Sequence, residues 1–438
     1  MNDTPEPSPG SVLRVVAASF IGTTIEWYDF FLYGTASALV FNKLFFPSYD
    51  PHTGTMLAFA TYAVGFFARP VGGVLFAHFG DRFGRKSTLV TTLMLMGLAT
   101  FAIGLLPTYQ QIGVAAPVLL VMLRFIQGFG VGGEWGGAVL MAVEYGHRGR
   151  RGLYASWVQA GVPAGFLLAT GVYAIFKMLP DADFMAWGWR APFLLGIVLL
   201  GVGMLIRLIV FESPLFSRLR EKKAPVRVPI LEVIRRYPRN VLLAMGARFA
   251  ENGCYYVFTV FVLSYARDQL GVEEPFLLNV LILAAAVQLL FIPLFGMLSD
   301  RIGRRPVYLG GALALALFAM PFFRLIDSVV EWQIAAAIIV GLVIHAAMYA
   351  PQAAFFSELF GTEVRYTGAS IGYQLASPLA GGLAPLIASG LLLWSGGRPW
   401  PVAVYLIALS VVTLVSVYLA AETHRVSLEA PPESGRES

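Results

Sequence analysis

Two short polar stretches decide the fold of this chain: GDRFGRK at residues 80–86 and SDRIGRR at residues 299–305. Each lies between two long apolar runs, at the same place in its half of the chain. Such a match at a long interval indicates an internal repeat, which says more about the fold than any local pattern. A second, weaker match supports two related halves: Glu144, Arg151, Ser156, Gln159 and Pro163 recur in order as Glu358, Arg365, Ser370, Gln374 and Pro378.

The composition around these stretches is that of a protein whose solvent is lipid. Hydrophobic residues fill 57% of the 438 positions, charged residues fill 13%, and the mean hydropathy is +0.71. Soluble domains carry about 25% charged residues, so a soluble enzyme, a disordered chain and a coiled coil are excluded. A helix needs about 20 apolar residues to cross a bilayer, which leaves enough sequence for about a dozen spans. The single cysteine, Cys254, excludes an internal disulfide.

The apolar runs predict an all-α integral membrane protein with twelve transmembrane helices in two pseudo-symmetric six-helix bundles. The predicted spans are residues 16–40, 55–77, 88–107, 116–141, 153–176, 189–211, 241–265, 276–298, 306–323, 332–357, 367–394 and 400–421. The predicted domains are a tail at 1–10, a bundle at 11–211, a basic linker at 212–240, a bundle at 241–423 and a short tail at 424–438. Six spans return the chain to its starting side, so the halves are parallel repeats with a substrate path at their interface.

Basic residues are distributed unevenly between the two sets of loops. Because loops rich in Lys and Arg stay in the cytoplasm, their distribution predicts that both termini are cytoplasmic. Residues 1–10 contain no basic residue, so we expect no cleavable signal peptide and a first span that is retained. The linker suits the anionic lipids of the cytoplasmic leaflet better than it suits nucleic acid. Its basic residues are Arg218, Arg220, Lys222, Lys223, Arg227, Arg235, Arg236 and Arg239.

The motif D-R-x-G-R-[KR], present at residues 81–86 and 300–305, resembles the signature loop of the major facilitator superfamily. IEWYDFFLYG at 25–34, FARPVGG at 67–73 and RFIQGFGVGGEWGG at 124–137 are similar to its metabolite:proton symporter group, which includes carriers of shikimate, α-ketoglutarate, citrate and proline or betaine. The resemblance covers essentially the whole chain. It implies secondary active transport by alternating access, with a proton symported, in a bacterial inner membrane.

One branch of that group fits less well. Its osmosensing proline/betaine members end in a long cytoplasmic coiled coil, whereas this sequence stops about fifteen residues after its last span. We therefore expect another small metabolite as the substrate, most naturally an organic acid.

Eight ionisable residues fall within the predicted spans, where a charge costs about 2.5–3.5 kcal/mol. Unpaired charges facing lipid are therefore not expected, and a functional role is the default interpretation. Arg207 is the exception, because a side chain near the end of a span reaches the interface by snorkelling. The eight residues are Glu26, Asp29, Arg69, Arg124, Glu134, Arg207, Arg248 and Glu251.

A proton-coupling site is predicted among these charges. Glu26 and Asp29 share one helical face, and Arg248 and Glu251 share another. A carboxylate facing an arginine across a bundle stabilises one arrangement until it is protonated, which supplies a switch. The resemblance implies that the acid of the first span, Asp29 or Glu26, pairs with Arg124 of the fourth. A permanent structural ion pair is the alternative.

The substrate site is predicted among polar residues of the spans. Arg69, Arg124 and Arg248 offer planar charged groups suited to carboxylates, unless the four acidic residues of the spans neutralise them. His345 fits one face with Tyr349 and Gln352, but a lone histidine in a span is more often structural. The predicted lining is Arg69, Arg124, Gln127, Glu134, Gln159, Arg248, Tyr255, His345, Tyr349, Gln352, Tyr373 and Gln374.

The signature loops are predicted to gate the path. Their aspartates cap a helix end or pair with arginines, holding the halves together in one access state and releasing them in another. The predicted gating residues are Asp81, Arg82, Arg85, Asp300, Arg301 and Arg304.

Other functions remain open or are rejected at this stage. An antiporter exporting a drug or metabolite uses the same scaffold, and a non-transporting receptor or sensor is the alternative from another class. Residues 128–133 match the dinucleotide fingerprint G-x-G-x-x-G, but they lie in an apolar span and follow no strand. The sequence supplies no catalytic dyad, metal cluster or cofactor site, so we predict no enzyme. We expect a monomer in the bilayer whose partners are its substrate and protons.

Overall fold

The computed structural model describes residues 9–83, 85–133, 135–145, 149–209, 229–361 and 365–426. All the secondary structure of these residues is helical. We number twelve long helical segments α1 to α12 in chain order.

The first half consists of α1 to α6. Their bounds are α1 Pro9–Leu39, α2 Pro51–Phe83, α3 Arg85–Leu105, α4 Ala115–Val131 continued by Trp135–Tyr145, α5 Arg151–Lys177 and α6 Ala191–Ile209. Short helices Phe41–Phe45, Tyr109–Ile112 and Asp181–Ala186 lie in the connections between them, all at one end of the bundle.

The second half consists of α7 to α12. Their bounds are α7 Pro238–Tyr256 with Val262–Asp268, α8 Glu274–Ile302, α9 Arg304–Asp327, α10 Glu331–Glu358, α11 Arg365–Ser377 with Ala384–Trp394 and α12 Trp400–Leu419. A π-helical turn interrupts α7 at Val257–Phe261 and α11 at Pro378–Gly382. Such turns concentrate at functional sites.

The twelve segments coincide with the predicted spans, with ends that differ by up to about seven residues. Among the described residues, nine helices are long and apolar enough to cross a membrane. The segments α1, α3 and α7 are outside that set, so the count of twelve membrane crossings stays a prediction. Both α1 and α7 carry buried charged side chains, which lower their hydropathy.

The predicted linker at 212–240 is only partly described. A short helix, Pro229–Arg236, lies within it, and α7 already begins at Pro238. Residues 210–228 lie outside the described part of the chain, as do residues 1–8 and 427–438 of the predicted tails.

The halves pack against each other through equivalent helices. Within the first half α1 packs on α5, α2 on α4 and α3 on α6. Within the second half α7 packs on α12 and α11, while α8 and α9 pack on α10. Between the halves α5 packs along α8, and α2 packs on α11. These pairs occupy corresponding positions in the two repeats, so the interface has approximate twofold symmetry.

The contact between α2 and α4 depends on glycine. A Cβ atom on Gly128 would overlap the backbone of Gly65, and one on Gly132 would overlap the carbonyl oxygen of Arg69. Small residues of this kind let two helix backbones touch in a membrane. The side chain of Arg124 runs past the same point, because a Cβ on Gly65 would lie 2.6 Å from its Nε atom.

Gly128→Ala should lower the thermal stability of the purified protein, since the added methyl forces α2 and α4 apart. Overpacking a close contact costs about 1–3 kcal/mol. Gly171→Ala is the control, because Gly171 lies within α5 with no atom near its Cβ position. Alanine has a higher helix propensity than glycine in both variants, so the difference between their melting temperatures reports only the steric overlap at position 128. Equal melting temperatures would contradict the close contact.

Candidate functional site

The first cationic group of the interface is Arg69 of α2, which is fully buried. Its guanidinium carbon lies 4.1 Å from the ring centre of Phe30, 4.5 Å from that of Phe66 and 5.0 Å from that of Trp27. Within the part of the chain that the structure describes, none of its three side-chain nitrogens has a hydrogen-bond partner. The rings supply cation–π attraction but no acceptor, so a buried cation is held with its donors unused.

Arg124 of α4 lies beside this cage and is also fully buried. Its guanidinium carbon is 3.9 Å from the ring centre of Phe30 and 4.3 Å from that of Tyr33. Nη1 donates to Oε1 of Gln127 at 3.1 Å, while Nη2 has no partner. Both guanidinium groups therefore lie against the ring of Phe30, and four of their nitrogens have no hydrogen-bond partner in the described part of the chain.

The predicted pair between Asp29 and Arg124 is not direct. Among the described ion pairs, none joins these two side chains within 4.0 Å. Arg124 instead donates to Gln127, whose Nε2 donates to Oγ1 of Thr100 at 2.7 Å. The Thr100 hydroxyl itself donates to the carbonyl oxygen of Met96 at 3.0 Å, and the Asp29 carboxyl group lies beside Thr100, its Oδ1 atom buried with no hydrogen-bond partner among the described residues. A neutral amide and a hydroxyl therefore separate the acid from the cation.

Two further acids of the predicted spans are Glu26 and Glu134. Glu26 of α1 is 3% exposed, so it is buried as expected for a charge within the bundle. Glu134 lies outside the residues that the structure describes, and its predicted role in lining the path stays a prediction.

The second half contains a continuous polar network around Glu251 of α7. Nη1 of Arg248 donates to Oε2 of Glu251 at 3.1 Å and to Oε1 of Gln352 at 3.0 Å. Nε2 of Gln352 donates to the same Oε2 at 2.9 Å and to the hydroxyl of Tyr308. Nε2 of His345 lies 3.2 Å from Oε1 of Glu251. Three donors from two helices therefore surround one buried carboxylate.

Aromatic rings join the two halves at this level. The ring centres of Phe66 and Tyr256 are 5.1 Å apart, and those of Phe31 and Tyr255 are 5.5 Å apart. Trp135 of α4 stacks on Tyr373 of α11 at 3.8 Å. At this level four buried tyrosine hydroxyls have no hydrogen-bond partner among the described residues: those of Tyr62, Tyr255, Tyr349 and Tyr373. The interface between Arg69 and Arg248 is therefore rich in unused donors.

Two glutamines from the predicted lining cross between the halves. Nε2 of Gln159 donates to the carbonyl oxygen of Tyr349 at 3.2 Å, and its Oε1 accepts from Nε1 of Trp135. Nε2 of Gln374 donates to the carbonyl oxygen of Gly132 at 3.0 Å. These bonds hold the interface closed.

At one end of the molecule, here called the signature end, Asp300 binds the first half. Its carboxylate accepts the backbone N–H groups of Gly152 at 2.8 Å and Leu153 at 2.9 Å, at the start of α5. A helix N-terminus attracts an anion because its first N–H groups are free. Nη1 of Arg304 also donates to Asp300 at 2.7 Å, and its Nε donates to Glu358 at 3.2 Å.

The other predicted gating residues are less informative. Arg301 is exposed beside Asp300. The side chains of Asp81, Arg82 and Arg85 in the first signature loop lie outside the described part of the structure. Their gating role stays a prediction.

The sequence analysis missed a segment that follows α12. Burial raises the pKa of Glu422, but hydrogen bonds from the backbone N–H groups of Arg304, Arg305, His424 and Thr423 outweigh it and leave that pKa below its usual value. Further along the segment, the carbonyl oxygen of Val426 accepts a bond from Nη1 of Arg151 at 2.9 Å. Residues 422–426 therefore tie α9 of the second half to α5 of the first.

The opposite end of the interface, here called the far end, is also closed. Nη2 of Arg267 on α7 donates to the carbonyl oxygen of Ala38 at 3.0 Å, near the end of α1. Lys177 of α5 lies 3.9 Å from Glu274 of α8. The structure therefore encloses the central charges from both ends.

Asp300→Asn should loosen the signature end, because an amide cannot accept both N–H bonds and the bond from Arg304. A hydrogen bond to a charged group contributes about 1.5–3 kcal/mol, so labelling of a buried thiol introduced as Ser156→Cys should accelerate roughly tenfold or more. Asp50→Asn is the matched control, because Asp50 accepts two backbone N–H groups at 3.1 Å within one half. If both variants accelerated thiol labelling equally, Asp300 would not be the residue that holds the two halves together at the signature end.

These features define a class of protein: a multi-pass helical membrane protein with two pseudo-symmetric halves around buried charges. The family model described as Sugar (and other) transporter matches residues 15–228, and the one described as Major Facilitator Superfamily matches residues 280–437. The chain belongs to the major facilitator superfamily. It is therefore a transporter rather than an enzyme.

Individual relatives agree along the whole chain. The shikimate transporter of Escherichia coli (strain K12) is 41% identical over 94% of this chain and 95% of its own length. The inner membrane metabolite transport protein YhjE of the same organism is 39% identical over 95% of each. A solved structure of the proton:xylose symporter XylE has a TM-score of 0.75 at 19% identity, covering 96% of this chain and 98% of that one. At that identity the last comparison supports the fold alone.

Proposed function

We propose that this chain is a proton-coupled symporter that imports a small organic acid by alternating access. The observation that supports it most is the state of Arg69, a fully buried guanidinium whose three nitrogens have no acceptor. A buried charge without a counterion is strongly unfavourable. Such a group is best explained as a binding site for an anionic ligand.

A carboxylate suits this position better than other anions. Its two oxygens match the fork of one guanidinium, and Arg124 offers a further unused donor beside the Phe30 ring. The unpartnered hydroxyls of Tyr62, Tyr255 and Tyr373 add donors and acceptors for hydroxyl groups on the same ligand. The relative named as a shikimate transporter carries a ring acid with hydroxyl groups, which combines both features.

Proton coupling is proposed for Asp29 and Glu26 in the first half, acting on Arg124, and for the second half through the polar network of Glu251, in which Glu251 is the anionic partner. Protonating a buried carboxyl group removes a charge from a low-dielectric interface, which alters the relative free energy of the access states. For Asp29 the effect would pass through Thr100 and Gln127 to Arg124. The remaining lining and gating residues keep the roles predicted from the sequence.

The arrangement in the membrane is proposed from the same features. The signature end would face the cytoplasm with both termini, and the far end the opposite side. The bundles at 11–211 and 241–423 would rock about the central site, with 212–240 as linker and 1–10 and 424–438 as tails. We expect the bacterial inner membrane, a monomer and no nucleic-acid partner.

Uptake into proteoliposomes tests this proposal. Labelled shikimate is the probe, and an inward proton gradient is imposed across vesicles with one protein orientation. Accumulation that collapses when a protonophore is added supports proton symport. Export of the probe against the gradient would favour the antiporter, and binding without any flux would favour a sensor; either result would overturn the proposal.

A further inference from the structure

In the second half, each ring nitrogen of His345 lies within hydrogen-bonding distance of a polar side chain. Nδ1 of His345 lies 2.7 Å from Nε2 of Gln288 on α8, and the same amide nitrogen donates to the carbonyl oxygen of Leu342 at 3.2 Å. An amide nitrogen donates only, so Nδ1 accepts and carries no proton. Nε2 therefore carries the proton and donates to Glu251 at 3.2 Å. With the Gln288 amide in this orientation, His345 is a neutral imidazole protonated on Nε2.

Gln288 is only half satisfied by this arrangement. The side chain is fully buried, and its Oε1 atom has no hydrogen-bond partner among the residues that the structure describes. Buried polar atoms without a partner are rare and call for a physical reason. A half-turn of the amide would exchange its nitrogen and oxygen. Oε1 would then face Nδ1 of His345, which is a favourable contact only if Nδ1 carries a proton.

We propose that His345 is a second proton-binding site of this transporter and that Gln288 rotates to accept the added proton's hydrogen bond. The proton enters on Nδ1, and no other bond forms or breaks except hydrogen bonds. The carbonyl oxygen of Leu342, now 3.2 Å from the amide nitrogen, would repel the oxygen that replaces it, so the rotated amide must also tilt away from Leu342. That carbonyl keeps its helical partner four residues on. The site deepens the proposed function, on which its role in transport rests.

Glu251 is less suited to take the proton itself. Its carboxylate accepts bonds from Arg248, Gln352 and His345. Charge-assisted hydrogen bonds of this kind stabilise the ionised form. Protonating the imidazole leaves all three bonds in place and turns the one from His345 into a bond between opposite charges.

The groups around His345 allow the added charge. From α7 it faces Glu251 and the ring of Tyr255, whose centre is 4.6 Å away, and from its own helix it faces Tyr349 at 5.0 Å. Arg248 lies beyond Glu251 and places its guanidinium 3.2 Å from the ring centre of Tyr373 on α11. Tyr308 of α9 reaches the carboxylate only through Gln352. One acid therefore separates the two cations.

The position of this site also couples it to the proposed anion site. Three rings in contact, Phe66, Tyr256 and Tyr255, connect the Arg69 cage to His345. Because this aromatic interface is buried and of low dielectric, an unneutralised Arg69 opposes a second positive charge at His345. A carboxylate bound to Arg69 removes that opposition, so substrate should raise proton affinity at His345. By reciprocity, a proton there should raise substrate affinity equally.

Isotope-edited infrared spectroscopy tests the site without any transported substrate. The full chain is labelled at its histidines, and difference spectra are recorded between about pH 8 and about pH 5, a range that brackets the usual histidine pKa. The chain has five histidines, and the imidazolium signal missing from His345→Asn identifies His345. In Gln288→Met, which lacks the acceptor, we expect the midpoint of that signal to fall by about one pH unit or more. Gln333→Met, which alters a glutamine at the far end of α10, should leave it unchanged.

The outcomes separate this proposal from the proposed function. A His345 signal that does not titrate, or one that Gln288→Met leaves unmoved, overturns the second proton site even if uptake is driven by protons. A titrating His345 with no proton-driven uptake leaves the site intact and refutes symport. If His345→Asn fails to fold, His345→Gln serves for the assignment.

Discussion

Arg69→Met should abolish carboxylate uptake and at the same time raise the melting temperature of the substrate-free protein. Removing one partner of a buried hydrogen-bonded charge pair costs about 2–5 kcal/mol, which predicts a loss of roughly 30-fold to several thousand-fold in affinity. In the empty protein the same change replaces an unpaired buried cation with an apolar side chain among three aromatic rings. That exchange is favourable.

The two opposite effects distinguish a ligand-binding arginine from a structural one. A residue that only holds helices together would lower the melting temperature when removed. Arg69→Lys keeps the charge but loses the planar fork, so uptake should fall to an intermediate level. Arg324→Met, at an exposed position on α9, is the control and should change neither quantity. Retained uptake together with a lower melting temperature would assign Arg69 to structure alone.

Asp29→Asn should eliminate proton-driven accumulation while leaving exchange of labelled for unlabelled substrate. A gradient of one pH unit supports about tenfold accumulation for each proton moved. Asparagine resembles the protonated acid in shape and lacks charge, so both access states remain reachable whether or not a proton is available. Internal and external substrate concentrations should then become equal.

Matched variants make the Asp29 result specific. Glu26→Gln tests the neighbouring acid on the same helix, and Thr100→Val breaks the route to Arg124 without changing any charge. If coupling runs through Thr100 and Gln127, the Thr100 variant should weaken accumulation as well. Asp183→Asn, in an exposed short helix at the far end, should behave as wild type. Accumulation that persists in Asp29→Asn would exclude Asp29 from coupling.

Helix positions were predictable because the bilayer imposes length and polarity together. The predicted span 153–176 lies inside α5 at Arg151–Lys177, and 332–357 lies inside α10 at Glu331–Glu358. The burial of Arg124 and Glu251 was predictable for the same reason, since a charge within a span is driven towards the bundle interior.

The hydrogen-bond partners of the buried polar side chains could not be predicted, because they depend on how far each side chain extends towards a neighbouring helix. The family resemblance implied that Asp29 or Glu26 pairs with Arg124, but Arg124 donates to Gln127, which in turn donates to Thr100 beside Asp29. Thr100 gave no signal, since threonine is common in spans. Gln288 did give one, as the only strongly polar residue in the run AAAVQLLF at 284–291, yet its bond to His345 required the packing of α8 on α10.

The segment after α12 was missed for a different reason. Glu422 lies beyond the last apolar run, where composition predicts only a tail. Two of its backbone hydrogen bonds come from Arg304 and Arg305, because the N-terminus of α9 lies beside it in space, and the other two come from its own neighbours Thr423 and His424. The acid of α10 that meets Arg304, Glu358, had a clearer signal as the repeat counterpart of Glu144.

The two halves should differ in stiffness. Glycines bring the backbones of α2 and α4 into contact in the first half, whereas π-helical turns interrupt α7 and α11 in the second. Two helix backbones in direct contact cannot slide past each other without losing the close packing along the whole contact. The first half should therefore move as a rigid body. The turns at Val257–Phe261 and Pro378–Gly382 loosen the regular bonding of two interface helices, which gives the second half places to bend. Opening at the far end should therefore be carried mainly by α7 and α11, and a ligand that wedges beside those turns would arrest the cycle without touching the charged centre.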